Sequence, residues 1–149
     1  PEPTLAQIES AILASKARVV FLDYLERFDL PRAEQMRLRV KEFMRQLKTM
    51  ARRHDVVIHL AAQLSRATYG HIEQRPSLAD LSESSAIEKE SDRVQLLWRP
   101  KEKQPPPGSG YTILEVIQAK QRHGRRGFAV DLKINDRNLR ITEVKENHQ

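Results

Sequence analysis

Two hydrophobic rhythms organise the first half of the chain, one of helical period and one of unbroken apolar runs. Thr4 is placed as an N-cap with Gln7 at the capping-box position. A helix to about Lys16 would then carry Leu5, Ile8, Ile12 and Leu13 on one face. Val19-Val20-Phe21-Leu22 follows without alternation, which predicts a strand over 18–22 covered on both faces, as in a parallel sheet. The longest helical pattern runs over roughly 32–53, after Asp29-Leu30-Pro31. Met36, Val40, Phe43, Met44, Leu47, Met50 and Ala51 keep helical spacing there, and most of the charge lies opposite. A second buried strand is expected over 56–61, with His59 as a hydrogen-bonded core residue in its middle. The order helix–strand–helix–strand implies parallel strands joined by right-handed crossovers.

Beyond residue 64 the rhythm changes. Residues 65–76 have loop composition, polar and basic, with Arg66, Tyr69-Gly70-His71 and Arg75. Residues 77–90 suggest one or two short helices, and 93–98 a third strand with Val94, Leu96 and Leu97 as its apolar members. The stretch 101–110 (KEKQPPPGSG) reads as a flexible linker, because Pro and Gly punctuate it and no apolar residue anchors it. Segments 111–119, 128–133 and 139–142 alternate more and are separated by Gly and Asn-Asp turns, which predicts a terminal antiparallel section. With 149 residues and no internal repeat, a single domain over 1–149 is expected.

Composition narrows the chemistry. A formal net charge of +6 favours an anionic partner such as nucleic acid. The absence of cysteine excludes disulfides and thiolate metal sites. His54, His59, His71, His123 and His148 lack ligand spacing such as HExxH, and no GxSxG elbow occurs, so hydrolases of those kinds have no support. No apolar stretch approaches the ~20 residues of a membrane span. The opening Pro1-Glu2-Pro3 leads directly into a helical pattern, so a cleavable signal is not expected, and the missing initiator Met reads as a fragment or processed chain. A cytoplasmic location is the expectation.

The two apolar runs each deliver a polar side chain at their C-terminal ends, the edge where ligands bind in open α/β sheets. Asp23 suits Mg²⁺ held through water while the ion bridges nucleotide phosphates; the plainer reading is a cap for the next segment. Gln63 both donates and accepts hydrogen bonds, which suits a sensor of a γ-phosphate, although strand-terminal glutamines are often simple loop residues. Lys120-Gln121-Arg122-His123-Gly124-Arg125-Arg126 is the densest basic cluster. It suits nucleic-acid backbone, the γ-phosphate of a nucleotide held by a neighbouring subunit, or only a solvated hairpin tip. No phosphate-cradling GxxxxGK[ST] loop occurs within the chain.

Taken together, the segments resemble the RecA-like motor domain of replicative hexameric DNA helicases of the DnaB type. VVFLDYL at 19–25 looks like the family's Walker B strand and its DYLQ continuation, with Glu26 where Gln is usual. Ala62-Gln63-Leu64-Ser65-Arg66 is similar to the SQLNR sensor motif. Arg75-Pro76 and then 80–88 (DLSESSAIE) resemble RP…SDLRESGAIEQDAD, with Asp92 at its last Asp. Ala119-Lys120-Gln121-Arg122-His123-Gly124 is similar to AKQRNG, the most specific single match.

The resemblance implies an α/β, RecA-like P-loop NTPase core lacking its phosphate loop, with a mainly parallel sheet flanked by helices and a terminal antiparallel section. It implies ATP and Mg²⁺ as cofactors, and part of an ATP-dependent DNA helicase as the function. Asp23 would hold the metal and Gln63 would couple nucleotide state to the DNA loops. Lys120 and Arg122 would reach a neighbour's γ-phosphate, Arg122 as an arginine finger. Ser82, Glu83 and Ser85, with Arg66 and Arg75, would face single-stranded DNA. Implied partners are further copies in a hexamer and a primase or helicase loader, with no membrane. Ser82 replaces the family's Arg and Ser85 its Gly, which removes a charged phosphate contact from that loop. The family's phosphate loop and catalytic Glu lie upstream of Pro1, so the 149 residues alone are expected to hydrolyse almost no ATP. Two other readings stand beside the helicase: a recombination or clock-type ATPase on the same fold, and a non-catalytic nucleic-acid or protein-binding module retaining half a motor.

Overall fold

The computed structural model describes residues 2–64, 74–81 and 84–144, the side chain of Ser84 excepted. The chain divides into two compact units, Pro1–Thr68 with Ala79–Ser91, and Tyr69–Leu78 with Asp92–Gln149.

In the first unit, α1 spans Leu5–Ser15 and is opened by the expected Thr4/Gln7 capping box. It closes on Lys16 in the left-handed region at φ 54°. Ile8 and Ile12 are buried, but Leu13 is 60% exposed, so the apolar face is narrower than its sequence pattern. Strand β1 is Val19–Leu22, a 3₁₀ turn follows at Leu25–Arg27, α2 is Met36–Arg53, β2 is Val57–Leu60 and α3 is Ser84–Glu90. α2 begins four residues later than its pattern predicted, leaving Met36 half exposed at its first turn. Its inner stripe of Val40, Phe43, Met44, Leu47 and Met50 is buried as the 3.6-residue period requires. Phe43 is fully enclosed and packs on Phe28 with ring centroids 5.8 Å apart. Glu9 of α1 accepts hydrogen bonds from Arg53 and His54 at the far end of α2.

β1 and β2 pair in parallel, Val19 opposite Val57 through Leu22 opposite Leu60. The expectation of strands covered on both faces is corrected here: Phe21 is 75% exposed, and Val19 and Val57 are also exposed. His59 is not a core residue; it is exposed and stacks on Phe21, centroids 5.0 Å apart. An apolar run reports that both faces tolerate burial, not that the same chain supplies both covers.

The second unit is an antiparallel meander in the order β3-β4-β5-β6, namely Arg93–Trp98, Tyr111–Gln121, Ala129–Asn135 and Ile141–Glu143. Among the described residues the antiparallel section is thus the larger part of the strand content, with β1 and β2 the parallel pair. β3 alternates as a half-buried strand should, Val94 and Leu96 inward and Leu97 outward. The 101–110 segment carries anchors that its composition did not suggest. Pro100 just before it is fully buried, Lys101–Lys103 form a 3₁₀ turn, and the Gln104 amide both donates to the carbonyl of Ile113 and accepts from its N–H.

Candidate functional site

Hydrogen bonds beyond the last paired residues hold the tips of β1 and β2 together. The N–H of Ala61 donates to Leu22 at 2.9 Å, and that of Leu25 donates to Ala61 at 2.8 Å. Buried Leu25 pins the turn, so Asp23 and the Ala61–Gln63 stretch share one edge of the parallel pair. Asp23 is exposed, and no described residue bonds to its carboxylate. Glu26 is an exposed residue of the following turn. Gln63 is also exposed, and its neighbour Leu64 bridges Leu81 in antiparallel fashion. Gln63 is therefore one residue from a backbone bridge to the segment that leads into α3. That link has no sequence signal, because a single bridge leaves no periodicity.

Ser85 lies on α3, half-buried, beside Ala86 and Ile87 of the core. Arg66, Ser82 and Glu83 lie outside the described residues.

In the second unit, Lys120 belongs to β4 opposite Val94, and Arg122 begins the connection to β5. The connection closes at Gly127, whose φ of 78° suits a residue without Cβ. The N–H of Arg122 donates to the carbonyl of Asp92, and its guanidinium pairs with the Asp92 carboxylate at 3.2 Å. Both partners are largely exposed, so the pair is worth at most about 1 kcal/mol and yields readily to a stronger anion.

Arg75 is engaged differently: its Nε donates to Glu115 at 2.6 Å. Glu115 is 4% exposed and accepts at its other oxygen from Lys103, which also binds Asp131. Burial pushes the Glu115 carboxyl up, but hydrogen bonds from Lys103 and then Arg75 outweigh it and hold the group below its ordinary range. The bonds from Asp131 and Glu115 raise Lys103 in turn. Arg75 thereby spends part of its donor set on Glu115 of β4. Neither Glu115 nor Lys103 was singled out from sequence, since one sits in an alternating strand and the other in an apparent linker.

Among the described residues, no three His, Asp or Glu side chains gather as a metal-binding group. A lone exposed carboxylate at a strand tip still fits Mg²⁺, which takes one or two protein carboxylates and completes its shell with water and phosphate oxygens. No described helix is long and apolar enough to cross a membrane.

The model of the DnaB-like helicase C-terminal domain matches residues 4–143. The chain is 35% identical over 131 residues to the replicative DNA helicase DnaB of Mycobacterium intracellulare, covering 83% of this chain and 22% of that protein. It is 34% identical over 130 residues to the DnaB of Leifsonia xyli subsp. xyli, covering 83% and 28%. Among solved structures it is similar to an ATPase domain, with TM-score 0.81 and 29% identity over 96% of this chain and 52% of that one. A DnaB-like replicative helicase, described with its interactions with primase, gives TM-score 0.74 and 31% identity over 87% and 32%. The chain thus spans about a quarter of the length of these two curated relatives. Its matched span runs through both units without interruption, and the chain belongs to the DnaB-like helicase C-terminal domain family.

Proposed function

We propose that the chain is part of an ATP-dependent replicative DNA helicase motor, with both compact units belonging to one RecA-like core and the phosphate loop lying outside these residues. One observation carries the reading: within a chain matched to the family over residues 4–143, Asp23 directly follows β1 and Gln63 lies three residues past β2, at the same edge of the parallel pair. In this reading Asp23 is the Walker B carboxylate, and the Mg²⁺ it holds neutralises charge on the phosphates of ATP. Gln63 senses the γ-phosphate, and the Leu64–Leu81 bridge passes its position towards the DNA-facing segment of Ser82, Glu83 and Ser85. Arg66 and Arg75 add backbone contacts to single-stranded DNA. Lys120 and Arg122 serve a neighbouring subunit of a hexamer, Arg122 leaving Asp92 for the more highly charged γ-phosphate. A primase or loader as partner and a cytoplasmic location belong to the same proposal.

The test is Arg122→Ala in the intact protein. DNA-stimulated ATP hydrolysis should fall by about 10³-fold or more, while binding of a fluorescent ATP analogue changes little. Unchanged turnover would remove the trans-acting finger from the reading. The isolated 149 residues should show almost no turnover, and robust hydrolysis by them would overturn the assignment of the phosphate loop to a segment outside.

A further inference from the structure

α2 carries cations of two kinds. Arg39, Arg45, Lys48 and Arg53 are each committed to a partner: the carbonyls of Leu30 and Pro31, the Glu42 carboxylate, the carbonyl of Glu90 and the Glu9 carboxylate. Arg37 and Lys41 are exposed and form no hydrogen bond or ion pair with a described residue. They stand four positions apart, so they lie one above the other on a single helical face. α3 repeats the spacing with Ser85 and Lys89. All four line one hollow of about 70 Å³, closed by Ala86 and Glu90. A water molecule needs roughly 10–15 Å³ of such space, so the hollow has room for a phosphate group. Arg37, Lys41 and Lys89 oppose the single carboxylate of Glu90, and Arg45 also feels that carboxylate's charge.

We propose that Arg37, Lys41, Ser85 and Lys89 form a binding site for one phosphate of single-stranded DNA. The inference rests on the reading of α3 as DNA-facing and adds to it the α2 face, which that reading does not include. Arg37 offers a planar fork suited to phosphate oxygens, the lysines supply point charge, and the Ser85 hydroxyl can donate a directional bond. The adjoining Ser82-Glu83 brings no cation, and the positive charge lining the hollow comes from Arg37 and Lys41 of α2 and from Lys89 in the last turn of α3. A nucleic-acid strand fits better than a free nucleotide, because contacts of this kind act as a row along a backbone and set grip rather than base choice.

The experiment uses the intact protein and a fluorescein-labelled dT₂₀ strand, with affinity measured across a salt series. Replacing Arg37, Lys41 and Lys89 together by Ala should weaken binding at least tenfold and lower the slope of log affinity against log salt by about 0.7, the share of one single-strand phosphate. Arg52→Ala, an exposed cation elsewhere on α2, should change neither quantity. An unaltered melting temperature in the triple variant checks that the fold is kept. Wild-type affinity and slope in the triple variant would overturn this site while leaving the motor reading intact. Loss of fluorescent ADP binding instead of dT₂₀ binding would overturn it in favour of a nucleotide subsite. Failure of the wild-type protein to bind dT₂₀ at all would overturn both.

Discussion

The two units keep different kinds of interior. The first is closed by aliphatic and aromatic side chains, with Phe43 and Val40 fully enclosed beside Leu47, Met50 and Phe28. The second buries Val94, Leu96, Ile113 and Ile117, but also the charged Glu115 and the amide of Gln118. An apolar interior depends on shape and exclusion of water, whereas a buried carboxylate depends on its partners staying in place. The candidate chemistry follows the same division. In the first unit, Asp23 and Gln63 are exposed and their side chains bond to no described residue, while in the second Arg75 and Arg122 are already paired with acids. In the proposed function, the first unit would offer groups ready for a ligand, and the second cations that a ligand must win from a partner.

Phe43→Ala should break the first interior with the largest effect. The residue is fully enclosed, so the loss should be about 3–5 kcal/mol, read from the urea midpoint and equal at pH 4 and pH 7. Glu115→Gln should cost about 2 kcal/mol at pH 7, because the amide cannot hold two charge-assisted bonds to Lys103 and Arg75.

The same network predicts how stability depends on pH. The folded Glu115 carboxyl lies below its ordinary value of 4.5, so its contribution is complete above that value and is lost as pH falls through the folded one. Lys103 is raised above 10.5, so its share is complete below that value and disappears as pH rises through the folded one. Melting temperatures between pH 2.5 and 7 should therefore show an acid limb that Glu115→Gln flattens and Phe43→Ala leaves in shape. An acid limb of equal steepness in wild type and Glu115→Gln would remove the contrast between the two interiors. Thr4→Ala should give the smallest change, about 1 kcal/mol, since it removes one arm of the capping box on an otherwise exposed helix end.

Local rules made much of the chain legible. The Thr4 cap, the inner stripe of α2, the parallel strands and the three late antiparallel strands all follow from spacing, because period and capping are properties of neighbouring residues. Asp23 and Gln63 could be picked out for the same reason, each being a polar residue just after an apolar run. Errors arose where a pattern was asked to report its surroundings. Leu13, Phe21 and His59 carry the residue types of a covered face and yet are exposed. The proline-rich 101–110 stretch has loop composition, but Gln104 and Lys103 fasten it to β4 and β5.

By itself, then, the sequence determined the element types, most of their bounds, the family, and the two polar strand tips. Tertiary structure alone decided which cations are committed and which are not: Arg122 with Asp92, Arg75 with Glu115, and Arg37 and Lys41 facing the same hollow as Lys89. The physical reason is range. Helical and strand periods are written within about ten residues, whereas Arg75 meets Glu115 across 40 positions and no local pattern encodes that meeting.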